Sequence, residues 1–125
     1  MKNSDEFRIL YVAKNEDDYV LLSAMFNLPN IEITLAGTAA EALRKIRRNR
    51  YDLYLLETRL PDGDGFGLCK LIRGYNLKTP IVFYSGDVGE AHRRKGLAMG
   101  ADVYLAKPYL ETLTVTLNKF IFGNC

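Results

Sequence analysis

Residues Asp52 to Gly65 read DLYLLETRLPDGDG, and the fold turns on how this stretch divides. Leu53, Tyr54, Leu55 and Leu56 run without a polar break and stop at a carboxylate, Glu57. A short continuous apolar run has the character of a strand covered on both faces, as in a parallel sheet. The residues that follow are punctuated by Pro61, Gly63 and Gly65, which favour turns. Asp62 and Asp64 in that loop read as turn and cap residues rather than as metal ligands. An acid therefore stands at the carboxyl end of a buried strand. In open α/β sheets, functional crevices lie beyond those strand ends.

Working outward, four further short apolar runs flank this one: FRILYVA (7–13), IEITLA (31–36), PIVFYS (80–85) and DVYLA (102–106). Helical patterns lie between them. The first is expected to place Leu21, Leu22, Met25 and Leu28 on one face, with Glu16, Asp17 and Asp18 at its N-terminal end, where acids complement the helix dipole. The second opens with a capping box, Thr38-Ala-Ala-Glu41. Its apolar face is Ala39, Leu43 and Ile46, and its polar face carries Arg44, Lys45, Arg47 and Arg48. The third starts near Asp64 and buries Leu68, Cys69 and Ile72. The fourth runs from about Glu90 to Met99 and stops at Gly100. The fifth sets Leu110, Leu113, Leu117, Phe120 and Ile121 at helical spacing. Strands alternating with helices predict an α/β fold, a five-stranded parallel sheet inside a three-layer α/β/α sandwich.

The chain has 125 residues, of which 48% are hydrophobic, which suits one domain over 1–125 with a core at about 7–122. A charged fraction of 26% and a net charge of +2 point neither to disorder nor to a polyanion partner. No apolar run approaches the ~20 residues that span a bilayer. MKNSDEFRIL lacks the long apolar segment of a signal peptide. Cys69 sits among apolar neighbours and Cys125 is the last residue, so no disulfide framework is expected and a reducing cytoplasm is the simplest setting. His92 is the single histidine, beside Arg93, Arg94 and Lys95, and reads as a surface residue. That basic group and the Arg44–Arg50 cluster read as solvated helix faces rather than as a nucleic-acid interface.

Four strand ends should converge on one crevice. They carry Ala13, Lys14 and Asn15; Glu57 and Thr58; Ser85 and Gly86; and Ala106, Lys107 and Pro108. The stretches RILYVAKNEDD, TAAEAL, YDLYLLETRLPDGDGFGLCKLIR, TPIVFYSG and GADVYLAKP occur in an order and spacing that cover Arg8 to about Phe122. Together they resemble the receiver domain of two-component response regulators, the flavodoxin-like CheY type. The resemblance implies a phosphorylated aspartate at the end of the third strand, and Glu57 occupies that position. It implies Mg²⁺ held by that aspartate and an acidic pair, and Ala13 and Lys14 occupy the pair. It matches the family's switch hydroxyl to Ser85, its switch aromatic to Tyr104 and its lysine to Lys107. It also implies a cis peptide between Lys107 and Pro108, a bond type that tolerates cis.

Two departures bear on that chemistry. Mg²⁺ requires oxygen ligands in near-octahedral geometry; Ala13 offers none and Lys14 brings a cation. Glu57 is longer than aspartate by a methylene, which displaces its carboxylate from the in-line position that phosphoryl transfer needs. The expectation is a degenerate receiver without catalysis, its Mg²⁺ binding lost or weak, signalling through protein contact. Lys14 and Lys107 are both expected to reach Glu57, Lys14 supplying the charge that the metal would have brought. The expected partner is another protein, or a second copy, on the face of the fourth helix, fifth strand and fifth helix. Tyr109, Val115 and Phe122 are expected on the outer side of that last helix. The alternative is a working receiver that accepts a phosphoryl group with atypical residues. A flavin carrier on the same fold would need a phosphate-cradling loop, and AKNED has no glycine to build one.

Overall fold

The computed structural model describes residues 6–123. Five strands, β1 (Phe7–Val12), β2 (Ile31–Ala36), β3 (Leu53–Leu56), β4 (Ile81–Ser85) and β5 (Val103–Ala106), alternate with five helices. The helices are α1 (Glu16–Met25), α2 (Ala39–Arg48), α3 (Gly65–Arg73), α4 (Glu90–Ala98) and α5 (Leu110–Phe122). These five strands pair in parallel in one sheet, in the spatial order β2-β1-β3-β4-β5. The expected three-layer α/β/α architecture is therefore present. No described helix is long and apolar enough to cross a membrane.

Strand alternation builds two cores, one on each face of the sheet. Leu10, Val12, Leu56 and Phe83 face α2 and α3, packing with Leu68, Cys69 and Ile72. Tyr11, Leu55 and Tyr84 face α1 and α5, packing with Leu22, Phe26, Leu113 and Leu117. The order reverses between β1 and β3, since the chain steps outward to β2 before returning to the centre. That switch point opens a crevice at the carboxyl ends. Ala13 and Glu57 lie there, the Glu57 N–H bonded to the Val12 carbonyl at 2.9 Å.

One helix face departs from expectation. Leu22 is fully buried, but Leu21, Met25 and Leu28 are exposed, and α1 ends at Met25. The core-facing set is Tyr19, Leu22 and Phe26. Val20, Leu21 and Leu22 are consecutive, so apolar residues cover more than one face of the helix and periodicity does not choose between them.

The caps show how the loops are held. Thr38 accepts from the Glu41 N–H at 3.0 Å, while Glu41 turns back to the Gly37 N–H at 2.8 Å, one residue beyond the usual capping box. Asp64 caps α3 by accepting from the Gly67 N–H at 2.7 Å. Asp62 reaches across to α2 and accepts from Ala39 and Ala40 at 2.8 and 2.9 Å. These bonds hold the Asp62 carboxyl below the usual aspartate range. Gly100, at φ +114°, terminates α4 in a conformation that favours glycine. Cys69 is a buried free thiol, whereas Cys125 and the first residues of MKNSDEFRIL lie outside the described residues.

Candidate functional site

Glu57 follows β3 directly, and the loop beyond it folds back tightly. Arg59–Leu60 pairs with Gly63–Asp64 in a short antiparallel ladder. The Gly65 N–H then bonds the Thr58 carbonyl at 2.8 Å. A β-carbon at Gly65 would lie 2.0 Å from the Glu57 carbonyl oxygen. Only glycine permits this approach, and it fixes where Glu57 points.

Opposite stands Lys107, at the end of β5. Its N–H bonds the Ser85 carbonyl at 2.7 Å, and the Lys107–Pro108 peptide is cis, as the resemblance implied. Its ammonium lies 2.5 Å from Glu57 Oε2 and 2.6 Å from Asp18 Oδ2. Burial pulls the lysine pKa down, but the hydrogen bonds to Asp18 and Glu57 outweigh it and hold the group above its ordinary value. The other Glu57 oxygen, Oε1, accepts from the Thr58 N–H at 3.1 Å. Ala13 is fully buried, its methyl within the core against α1 and α5.

The expected pair between Lys14 and Glu57 does not form. Lys14 lines the same crevice but is exposed and makes no ion pair among the described residues. The first turn of α1 sets Asp18 over Lys107, so one lysine bridges two acids. With both carboxylates engaged by a partly buried cation, the strongly hydrated ammonium of Lys14 stays in water. Asp18 had no functional role in the sequence reading beyond helix-end charge; its partner is 89 residues away.

A second constellation links Ser85 to Tyr104. The Thr58 hydroxyl donates to Asp87 Oδ2 at 2.7 Å and stands 2.6 Å from Ser85 Oγ. Ser85 Oγ accepts from the Asp87 N–H at 2.9 Å. Because Thr58 gives its proton to Asp87, the Ser85 hydroxyl donates to Thr58. Arg59 pairs with the Asp87 carboxylate at 2.9 Å. The bonds from Arg59 and Thr58 hold that carboxyl below the usual aspartate range. Tyr104 turns inward and donates its hydroxyl to the Asp87 carbonyl at 2.5 Å. Its ring lies parallel to Phe66 and tilted against Phe83. Gly96 of α4 makes room, since a β-carbon there would meet the Tyr104 ring at 2.7 Å.

The sequence reading brought Glu57, Lys14, Lys107 and Ser85 to one crevice; the structure sets Lys14, Glu57 and Lys107 on its rim and Ser85 against Thr58 of its wall, with Tyr104, the matched aromatic of β5, tied to Asp87. That reading did not single out Asp87 or Asp18. The crevice between these groups has a volume of about 480 Å³. It is rimmed by the cations Lys14, Arg59 and Lys107 and by the carboxylates Glu57 and Asp87. Every carboxylate that faces it is already hydrogen bonded to a cation. Among the described residues, no group of three or more His, Cys, Asp and Glu side chains is disposed to hold a metal ion. On the flank, Tyr109, Val115 and Phe122 are exposed, as expected, and His92 lies at the surface.

Comparison with known proteins gives a consistent result. Residues 9–118 match the sequence model of the response regulator receiver domain. Over 102 residues the chain is 32% identical to the alkaline phosphatase synthesis transcriptional regulatory protein PhoP of Bacillus subtilis, covering 82% of this chain and 42% of PhoP. Over 92 residues it is 37% identical to the transcriptional regulatory protein BaeR of Escherichia coli, covering 74% of this chain and 38% of BaeR. The chain thus spans less than half the length of these curated relatives. The crystal structure of a two-component response regulator from Clostridium difficile superposes with a TM-score of 0.86 at 35% identity, covering 94% of this chain and 97% of that one.

Proposed function

The chain belongs to the response regulator receiver domain family, and from that premise we propose that it is a degenerate receiver, one that signals by protein contact without metal-dependent phosphorylation or catalysis. The observation that carries this reading is Lys107 closed on both Glu57 and Asp18. The Lys107 ammonium neutralises Glu57, the one acid left of the set with which the family holds a divalent cation. Ala13 supplies no oxygen, and Lys14 adds a positive charge at the rim. The donor set therefore does not suit Mg²⁺, whose binding is lost or weak. Glu57 keeps a carboxylate at the strand end, where Lys107 neutralises it.

The output surface in this reading is the face of α4, β5 and α5, with a partner protein or a second copy of the chain as occupant. Tyr104 supports it, because its inward ring links that face to Asp87 above the crevice. Without phosphorylation Glu57 holds one fixed state, and its carboxylate carries less charge and fewer acceptor oxygens than a phosphoryl group would. The setting is the cytoplasm.

The test is an amide spectrum of isotope-labelled protein, titrated first with Mg²⁺ and then with beryllofluoride, a phosphoryl mimic. Unmoved amides at Ala13, Glu57, Ser85 and Lys107 are the expected result. One observation favours the other reading, a phospho-accepting receiver with atypical residues: the continuous Ser85–Thr58–Asp87–Tyr104 network. Shifts at those residues that need both additives together would establish it.

A further inference from the structure

The strand-end crevice leaves unexplained a charged face on the side of the molecule. The second half of α2 carries the cations Arg44, Lys45, Arg47 and Arg48. Lys45 stands 3.9 Å from Glu41, whereas Arg44 and Arg48 are exposed and form no ion pair among the described residues. These two arginines are four residues apart, roughly 6 Å along the helix axis, and like charges at this spacing repel. The helix dipole accounts for Lys45, Arg47 and Arg48 in the last turn, but not for Arg44, which precedes it.

Arg44 and Arg48 line a hollow of about 240 Å³, whose other walls are Glu41, Lys45 and Asn49. All five side chains are charged or polar, so the hollow offers no seat to an acyl chain or a base. Glu41 is drawn back to the Gly37 N–H at 2.8 Å. Asn49 meets the negative end of the helix dipole: its backbone N–H and its side-chain amide both bond the Lys45 carbonyl, at 3.0 and 3.1 Å. That amide has a second proton to give. Three cations against one carboxylate leave two positive charges, which match the charge of a phosphate monoester, about −1.5 to −2. Arg47 faces the separate hollow of Leu43, Leu71 and Tyr75, so the cations do not form one track for the successive single charges of a nucleic-acid backbone.

We propose that the hollow lined by Arg44 and Arg48 on α2 binds a phosphate group, either the free anion or a small phosphate monoester, held by the two guanidinium forks with Lys45 and Asn49 beside them. Arginine presents paired N–H donors that match phosphate oxygens, and an anion between the two forks removes their repulsion. The site is separate from the strand-end crevice and stands whether or not Glu57 accepts a phosphoryl group.

The test uses the whole chain, isotope-labelled, titrated with inorganic phosphate and separately with glycerol phosphate, each against chloride at matched ionic strength. A short oligothymidylate is the comparison for a nucleic-acid backbone. The expected result is a saturable set of amide shifts confined to 41–49, with the side-chain N–H signals of Arg44 and Arg48 moving at the same midpoint. Saturation by phosphate alone identifies the free anion as the ligand, and saturation by both identifies the monoester class. Arg44→Gln and Arg48→Gln should each weaken binding by about tenfold, while Arg47→Gln should change it by less than about twofold. Both altered arginines are exposed and glutamine is as good a helix former, so a folding defect in one variant leaves the other informative. Absence of saturation, shifts centred on the strand-end crevice, or binding that neither variant weakens would overturn the proposal. So would an equal response to chloride, which would mean an adventitious ion only, or tighter binding of the oligothymidylate than of phosphate.

Discussion

Lys107 decides what the strand-end acids do. Its ammonium sits between two carboxylates at hydrogen-bond distance, with its side chain 20% exposed. Lys107→Met would leave Glu57 and Asp18 facing one another without a cation. Hydrogen bonds to charged groups contribute about 1.5–3 kcal/mol each where buried, and partial exposure lowers the combined loss to about 2 kcal/mol. Lys14→Ala removes an exposed cation with no ion-pair partner among the described residues and should change stability by less than about 0.5 kcal/mol. Urea unfolding of the two variants checks the pair, and the reverse order would return Lys14 to the role that the sequence suggested for it. The pH dependence follows from the same lysine. Its folded pKa is raised above the ordinary value of 10.5. Its contribution is therefore complete below that value and is lost as pH rises through the folded pKa. Tyr11 and Tyr84, whose phenols burial pushes up, lose stability in the same direction. The stability difference between wild type and Lys107→Met isolates the lysine, and it should be constant near neutrality and shrink in strong alkali.

At the scale of elements, α1 is the place where pattern and packing part company. Leu22→Ala should cost about 2–5 kcal/mol, the range for a buried leucine whose cavity cannot collapse. Leu21→Ala, one residue earlier, should stay within about 0.5 kcal/mol. Thermal melts of the two variants test the assignment, and equal losses would mean that the helix is rotated. Gly65→Ala is the corresponding test for the loop after β3. A β-carbon 2.0 Å from the Glu57 carbonyl oxygen forces backbone to move, so the loss should reach about 1–3 kcal/mol, as for overpacked cores. The strands were legible in the sequence because β3 and β4 are apolar without interruption, and because Asp64 and Gly100 mark helix ends by their chemistry. The face of α1 was not, because Val20, Leu21 and Leu22 satisfy several phases at once. The site was legible in part for a similar reason. Glu57, Ser85 and Lys107 lie at strand ends, which the topology gathers. Asp18 and Asp87 act through partners 89 and 29 residues away, and no local periodicity encodes such pairs.

The molecule as a whole joins its crevice to its flank through one loop. Asp87 carries the connection twice over. Its carboxylate is tied to Thr58 and Arg59 of the loop after β3, and its carbonyl holds the Tyr104 hydroxyl on β5. The Tyr104 ring in turn fills the space beside Gly96, so α4 rests on the position of that tyrosine. Asp87→Ala removes the carboxylate but keeps the carbonyl, which separates the two halves of the link. Loss of the Thr58 and Arg59 bonds should free the loop after β4 and with it the acceptor for Tyr104. Amide shifts should then extend from Thr58 and Ser85 to Gly96 and Tyr104, and ring contacts between Tyr104 and Phe66 should weaken. Tyr104→Phe should reproduce the distal shifts while leaving Thr58 and Arg59 unmoved, because it breaks the link at its far end. If Asp87→Ala perturbs only its immediate neighbours, the crevice and the α4–β5–α5 face are mechanically independent. Whatever state Glu57 and Lys107 hold would then have no route to that surface.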